Sequence, residues 1–309
     1  MSKFLVAGIV QRETIVKVDR IPVEYAAITS RPDTVNISIG GDAYNESLAL
    51  VWLGNDVDFM TMIGKHDSPD MINPYGSEIK LRSDYVLPKL KETLTEVVLC
   101  GADWKQQIFE DNKDIRDMVY DEALFEERVR QANVVVLSNA NFCRPLIRIA
   151  RAEGKPIAVN LRKYSSETLK YNADFLSSAD ILYLSDDYLD KDPYEFVKEI
   201  VHTYGNRIVI LGMGSKGVLL YSREDDIFAP FPTVKTNKVI NTVGAGNALF
   251  SCFLHYYYKT GDAILAIKNA LLFASYKIGF VGTSNGFMSE EQMEQWHNLI
   301  WKDGGSILK

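Results

Sequence analysis

The sequence predicts an α/β protein: a mostly parallel sheet flanked by helices, carrying a small antiparallel β lid. Three observations lead there. Short apolar runs recur along the 309 residues, as strands buried on both faces require. Helical patterns separate most of these runs, so the repeating unit is strand–helix–strand with right-handed crossovers. Two regions break the rhythm by alternating polar and apolar residues, which marks a sheet with one wet face.

Taken in order, the buried runs are Phe4–Val10, Asp58–Ile63, Val134–Leu137, Ile157–Asn160, Ile181–Leu184, Ile208–Leu211 and Val218–Tyr221. All are read as parallel strands. Helices are expected over Ala43–Leu53, Tyr75–Tyr85, Asp121–Ala132, Pro145–Ala152, Ser166–Ser177 and Pro193–Tyr204. Further along, Asp262–Phe280 carries small residues on most turns, and Ser289–Trp301 opens with a capping-box arrangement. The alternating segments are Arg12–Arg20 and Thr34–Ile39, then Thr95–Cys100 and Lys105–Phe109 around a Gly101-Ala102-Asp103 turn. The chain therefore divides into a core of residues 1–10, 41–91 and 112–309 and a lid of residues 11–40 and 92–111. The tail from Lys302 to Ser306 reads as loose.

Composition narrows the function. A net charge of −7 argues against a nucleic-acid or anionic-membrane partner, which calls for a basic face. Cys100, Cys143 and Cys252 are scattered in apolar contexts and read as reduced thiols of a cytoplasmic protein. No apolar run approaches the length of a membrane span. The histidines at 66, 202, 255 and 297 share no metal-ligand spacing. His255, in the run His255-Tyr256-Tyr257-Tyr258, reads as helix packing.

The most informative segment is Asn241-Thr242-Val243-Gly244-Ala245-Gly246-Asn247, which opens an apolar helical stretch from Leu249 to Tyr258. Unpaired backbone N–H groups and the dipole of a helix starting there would bind an anion. Three other stretches stand in register with it: Gly8 through Pro22; Gly40-Gly41-Asp42-Ala43-Tyr44-Asn45, with Leu53-Gly54 after it; and Gly212-Met213-Gly214-Ser215-Lys216-Gly217. In that order and spacing the chain resembles the ribokinase-like sugar kinases, the PfkB family, over nearly its whole length.

The resemblance implies a ribokinase-like three-layer fold and transfer of a phosphoryl group from ATP, with Mg²⁺, to a hydroxyl of a small carbohydrate or nucleoside. It implies that Gly244, Ala245 and Gly246 form the anion hole, and that Gln11, Glu13, Gly40, Gly41 and Asn45 hold the sugar. Nucleotide would lie on Gly212, Gly214 and Gly217, with Asn241 at the head of the fourth motif. The lid would exclude water, and lid strands of two copies would pair as a homodimer. Asn247 stands where the family carries the Asp that takes the hydroxyl proton, and Asn241 also replaces an Asp. Gln11 and Glu13 are each one methylene longer than the usual Asn and Asp, which implies a substrate different in size or position from ribose. Where the family often carries Asn-x-x-Glu, this chain has Ser185-Asp186-Asp187-Tyr188. A second class of function therefore stands beside the kinase: a sugar- or nucleotide-binding regulatory protein without turnover. The metal ligands are not assigned by the sequence.

Other residues carry competing readings. Asn45 reads as sugar ligand or helix cap, and Asp42 as a cap. Lys216 and Asp67 read as turn residues. Arg162 reads equally as a phosphate-site or a structural residue.

Overall fold

The structure, a computed structural model, describes residues 2–74, 76–161, 168–187 and 189–302. In chain order the strands are β1 (Lys3–Ala7), β2 (Gln11–Val18), β3 (Val35–Gly40), β4 (Asp56–Gly64), β5 (Val86–Leu90), β6 (Leu94–Gly101), β7 (Gln106–Asp111), β8 (Val134–Ser138), β9 (Ile157–Leu161), β10 (Ile181–Ser185), β11 (Ile208–Gly212), β12 (Val218–Ser222) and β13 (Ile227–Phe231). The helices are α1 (Asp42–Trp52), α2 (Glu122–Val129), α3 (Arg144–Ala152), α4 (Leu169–Ser178), α5 (Pro193–Tyr204), α6 (Ala245–Thr260), α7 (Ala263–Lys277) and α8 (Glu290–His297).

The large sheet runs β13-β12-β11-β10-β9-β8-β1-β4-β5. Alternate residues of its strands feed two cores. Phe4, Val6, Val134 and Val136 pack with α1, α6, α7 and α8. Leu5, Ala7, Val135 and Leu137 pack with α2, α3, α4 and α5. This is the three-layer ribokinase-like arrangement, and the two-faced burial explains why these strands read as continuous apolar runs. Among the described residues, no helix is long and apolar enough to cross a membrane.

The structure corrects four expectations. Residues 76–85 are not helical; a short 3₁₀ turn at Pro69–Ile72 leads into a loop and then β5. Asn73 closes that loop by bonding both the carbonyl and the N–H of Leu81, each at 2.8 Å, and Gly76 takes a positive φ of 84°. Tyr75, at the head of the expected helix, lies outside the described residues, as do Arg162, Ser166, Tyr188 and the tail from residue 303. Secondly, the Val218–Tyr221 strand is antiparallel to β11, not parallel. The turn between them is too short for a crossover, and only an antiparallel partner is within reach. Thirdly, β5 and β13 were not legible. Each contains a proline (Pro88, Pro230) and each forms an outer edge of the sheet, where a missing N–H is tolerated.

The fourth correction concerns the lid, which orders β3-β2-β6-β7. Its outer pairs are antiparallel, but the central pair β2–β6 is parallel. The cause lies in the large sheet. β2 continues from β1 and β6 from β5, both leaving the same end of one parallel array through short connections. They therefore enter the lid in one direction. Gln11 and Glu13 lie on the lid face turned inward and are buried; Arg12 between them is exposed.

Candidate active site

The segment before α6 folds into the tight turn its glycines allow. Gly244 is left-handed (φ 79°) and caps α6 with no side-chain bond to the first N–H groups; Ala245 N–H donates to the Thr242 carbonyl at 3.3 Å, and the N–H groups next in the helix have no side-chain cap. Asn241 is buried and builds the turn. Its amide donates to the Phe280 carbonyl at 2.6 Å and accepts from the Val243 N–H at 3.0 Å. Ile240 N–H also bonds the carbonyl of Ile278 at 2.8 Å. The loop after α7 is thus stitched to the anion turn. The buried Lys277 completes the stitching by donating to the carbonyls of Val243 and Gly282.

Gly246 and Gly212 are needed for a second reason. A Cβ on Gly246 would lie 2.8 Å from the Tyr183 hydroxyl, and one on Gly212 would lie 2.5 Å from it. The buried Tyr183 in the middle of β10 lies between the two glycine-rich turns and sets their spacing. Gly246→Ala should therefore cost roughly 1–3 kcal/mol in urea unfolding. Tyr183→Phe in the same chain should recover part of that loss, because the hydroxyl is the atom in the way.

Asn247 sits on the first turn of α6, and its Oδ1 accepts from Asn160 Nδ2 at 2.9 Å. The same Asn160 nitrogen donates to Glu46 Oε1 at 2.7 Å. Burial holds the Glu46 carboxyl well above the usual carboxylate range; Asp42 adds to that shift and the Asn160 bond opposes it. With its oxygen turned to Asn160, Asn247 keeps its NH₂ for a ligand.

The lid supplies the opposite wall. Glu13 accepts from the Thr283 hydroxyl at 2.9 Å, and a Cβ on Gly40 would lie 2.7 Å from the Glu13 carboxylate. Glycine at 40 is what lets that carboxylate lie across the lid–core junction. Gly41 (φ 111°) turns the chain into α1 against the carbonyl of Ile9. Asn45 Oδ1, Ser38 Oγ and Asn36 Oδ1 are buried with no hydrogen-bond partner among the described residues. Buried polar atoms without partners are costly in a finished core and ordinary in a site awaiting hydroxyls.

The Gly212–Gly217 turn lies beside a cleft of about 420 Å³ lined by Phe231, Thr233, Val234, Lys268, Leu271 and Trp301, among others. A Cβ on Gly217 (φ 97°) would collide with the Phe231 carbonyl; Gly214 (φ 55°) has open space around it. At the end of β10, burial and neighbouring Asp187 raise the pKa of Asp186, while Lys216 lowers it. Among the described residues no cluster of three or more metal-ligating side chains exists.

The competing readings separate as follows. Asp42 is no helix cap; the cap position is Gly41, and Asp42 accepts from Ile9 N–H at 3.3 Å and Ala43 N–H at 2.7 Å. Asp67 binds Arg12 and the Thr93 hydroxyl, each at 2.5 Å, at the lid hinge. His255 is buried against Asn55 and Tyr256, and burial lowers its pKa to about 4. Sequence reasoning missed Glu46, Asn160, Tyr183, Lys277 and Thr283. A signal existed for two of them: Glu46 and Lys277 are charges on otherwise apolar or small-residue helical faces.

A sequence model of the pfkB family carbohydrate kinases matches residues 1–290. A deoxyribokinase of Salmonella typhi is 32% identical over 111 residues, which span 35% of this chain and 35% of that enzyme. A microbiome-derived acarbose kinase superposes with a TM-score of 0.82 at 22% identity, covering 95% of this chain and 98% of that one. An Arabidopsis thaliana ribokinase complexed with ribose and ATP superposes at 0.74 with 18% identity, again over 95% and 98%.

Proposed function

Because the chain belongs to the pfkB family of carbohydrate kinases, we propose that it transfers the γ-phosphate of ATP to a hydroxyl of a small carbohydrate or nucleoside-like molecule. The observation that carries this reading is convergence. Buried polar atoms without partners on β3 and α1 and the lid carboxylate of Glu13 come together with a glycine turn lacking a side-chain cap at the start of α6. Thr283 joins them: its hydroxyl donates to Glu13, and its carbonyl would lie 2.9 Å from a Cβ on Gly244. Phosphoryl transfer asks mainly for positioning and charge stabilisation, and this arrangement offers both.

In this reading Gln11, Glu13 and Asn45 orient the carbohydrate, and Gly40 and Gly41 give it close approach to backbone. The N–H groups at Gly244, Ala245 and Gly246 hold the oxygens of the transferring group, where negative charge develops. The adenine base takes the cleft beside Gly214 and Gly217, with Asn241 keeping the intervening turn in shape. Magnesium, when bound, neutralises phosphate charge. Asp186 and Asp187 at the end of β10 would hold it, because a cation there would relieve the repulsion between the two carboxylates. Asn247 orients the attacking hydroxyl through its amide and takes no proton, so the hydroxyl proton must leave with solvent or with the phosphate. The direct test is phosphoryl transfer from ATP across a panel of sugars and nucleosides.

A second reading, a sugar- or nucleotide-binding regulator, is favoured by one observation: the group at position 247 is an amide with no useful proton affinity near neutrality. Binding without turnover in the same panel would select it.

The lid also suggests a homodimer. Ile37, Thr14, Val97 and Phe109 align across the outward face of the lid sheet, and Ile37 and Phe109 are 77% and 52% exposed. Such a row on an outer face fits a second copy of the chain. Ile37→Asp should shift the sedimentation coefficient to that of a monomer; an unchanged coefficient would reject pairing through this face.

A further inference from the structure

We propose that Lys277 is the built-in cation of the anion turn: its ammonium holds the turn in shape and supplies positive charge to an anionic oxygen bound there. The inference rests on the reading of Gly244–Gly246 as a phosphate cradle. Lys277 ends α7 and is fully buried. Its ammonium donates to the carbonyls of Val243 and Gly282, and a Cβ on Gly244 would lie 3.3 Å from Nζ. The charge therefore stands beside the left-handed glycine that opens α6. Backbone carbonyls are the neutral partners that let a buried ammonium keep its charge without cancelling it. A neutral side chain of the same length would leave both carbonyls without a donor.

The same cation reaches the lid. The ionisable side chains acting on it are Glu13 of β2 and Cys100 of β6, which favour the charged form, while burial opposes it and brings its pKa down to about 7. Glu13 is bonded to Thr283, one residue beyond the Gly282 carbonyl that Lys277 binds. Lid acid, loop and anion turn are thus one connected unit with Lys277 at its centre. The sign of the pH dependence follows. Below about pH 7 Lys277 is an ammonium and anion affinity is high; as pH rises through that value the charge is lost and affinity falls.

The test is calorimetric titration of sulfate, a dianion throughout the neutral range, into wild type, Lys277→Met and Lys277→Gln on either side of neutrality. Wild type should bind more tightly on the acid side, with affinity falling about tenfold over the transition. Both variants should bind roughly tenfold more weakly than acid-side wild type and show no such transition. Lys277→Gln restores one donor but no charge, so recovery in Gln alone would assign the effect to hydrogen bonding and overturn the electrostatic claim. Equal affinity and equal pH response in wild type and the variants would also overturn it. If wild type binds no sulfate at either pH, the phosphate-cradle reading fails and takes this one with it. Should both variants fail to fold, the wild-type profile still decides: a flat or rising affinity across neutrality contradicts the proposal.

Discussion

Asn247→Asp raises phosphoryl transfer by roughly 10²–10⁴-fold, the usual contribution of a positioned general base. The geometry is prepared for the change. Asn160 Nδ2 already donates to the oxygen at position 247 and would donate to a carboxylate there without moving. Burial holds its other acceptor, Glu46, well above the usual carboxylate range, which favours the neutral carboxyl and lessens its repulsion of a new acid across the Asn160 amide. Turnover in the variant should rise with pH as the introduced carboxyl loses its proton and then level. A flat profile in the variant would deny the aspartate its role as base.

Glu13→Ala weakens carbohydrate binding by roughly a hundredfold, as loss of charged hydrogen bonds in a buried site requires. The lid lays the Glu13 carboxylate across Gly40, where Thr283 fixes it. Glu13→Gln keeps the reach and an acceptor for Thr283, so it should lose only about tenfold. Nucleotide affinity should fall less than carbohydrate affinity, and only through the support that Glu13 gives to the Lys277 charge beside the Gly244–Gly246 turn. Calorimetry with the sugar that shows turnover, and separately with a non-hydrolysable ATP analogue, checks both statements. Equal loss of both ligands would point instead to collapse of the lid–core junction.

The strand–helix alternation and the glycine turns were legible because each rests on a local rule. Buried parallel strands must be apolar throughout, and a left-handed turn before a helix selects glycine. The lid pairing was not legible: nothing within β2 or β6 encodes their parallel sense, which follows from where β1 and β5 end in the large sheet. The edge strands β5 and β13 hid behind Pro88 and Pro230. At the site, Gly244 and Asn247 could be picked from the motif, but Tyr183, Asn160 and Lys277 act from other elements. Only folding brings Glu46 of α1 and Asn160 of β9 within hydrogen-bonding distance of each other, 114 residues apart in the chain. Asn241 shows the converse limit. The motif puts it beside a nucleotide, while its bonds to Phe280 and Val243 are those of a residue that shapes the turn.

The most direct test of a phosphoryl-transfer site at the start of α6 is one assay: labelled γ-phosphate of ATP offered with a panel of sugars and nucleosides to wild type and Asn247→Asp side by side. Transfer to at least one acceptor, faster in Asn247→Asp than in wild type, is the predicted result. No transfer by either protein to any acceptor, with carbohydrate still bound in calorimetry, would contradict the kinase and leave a binding protein in its place.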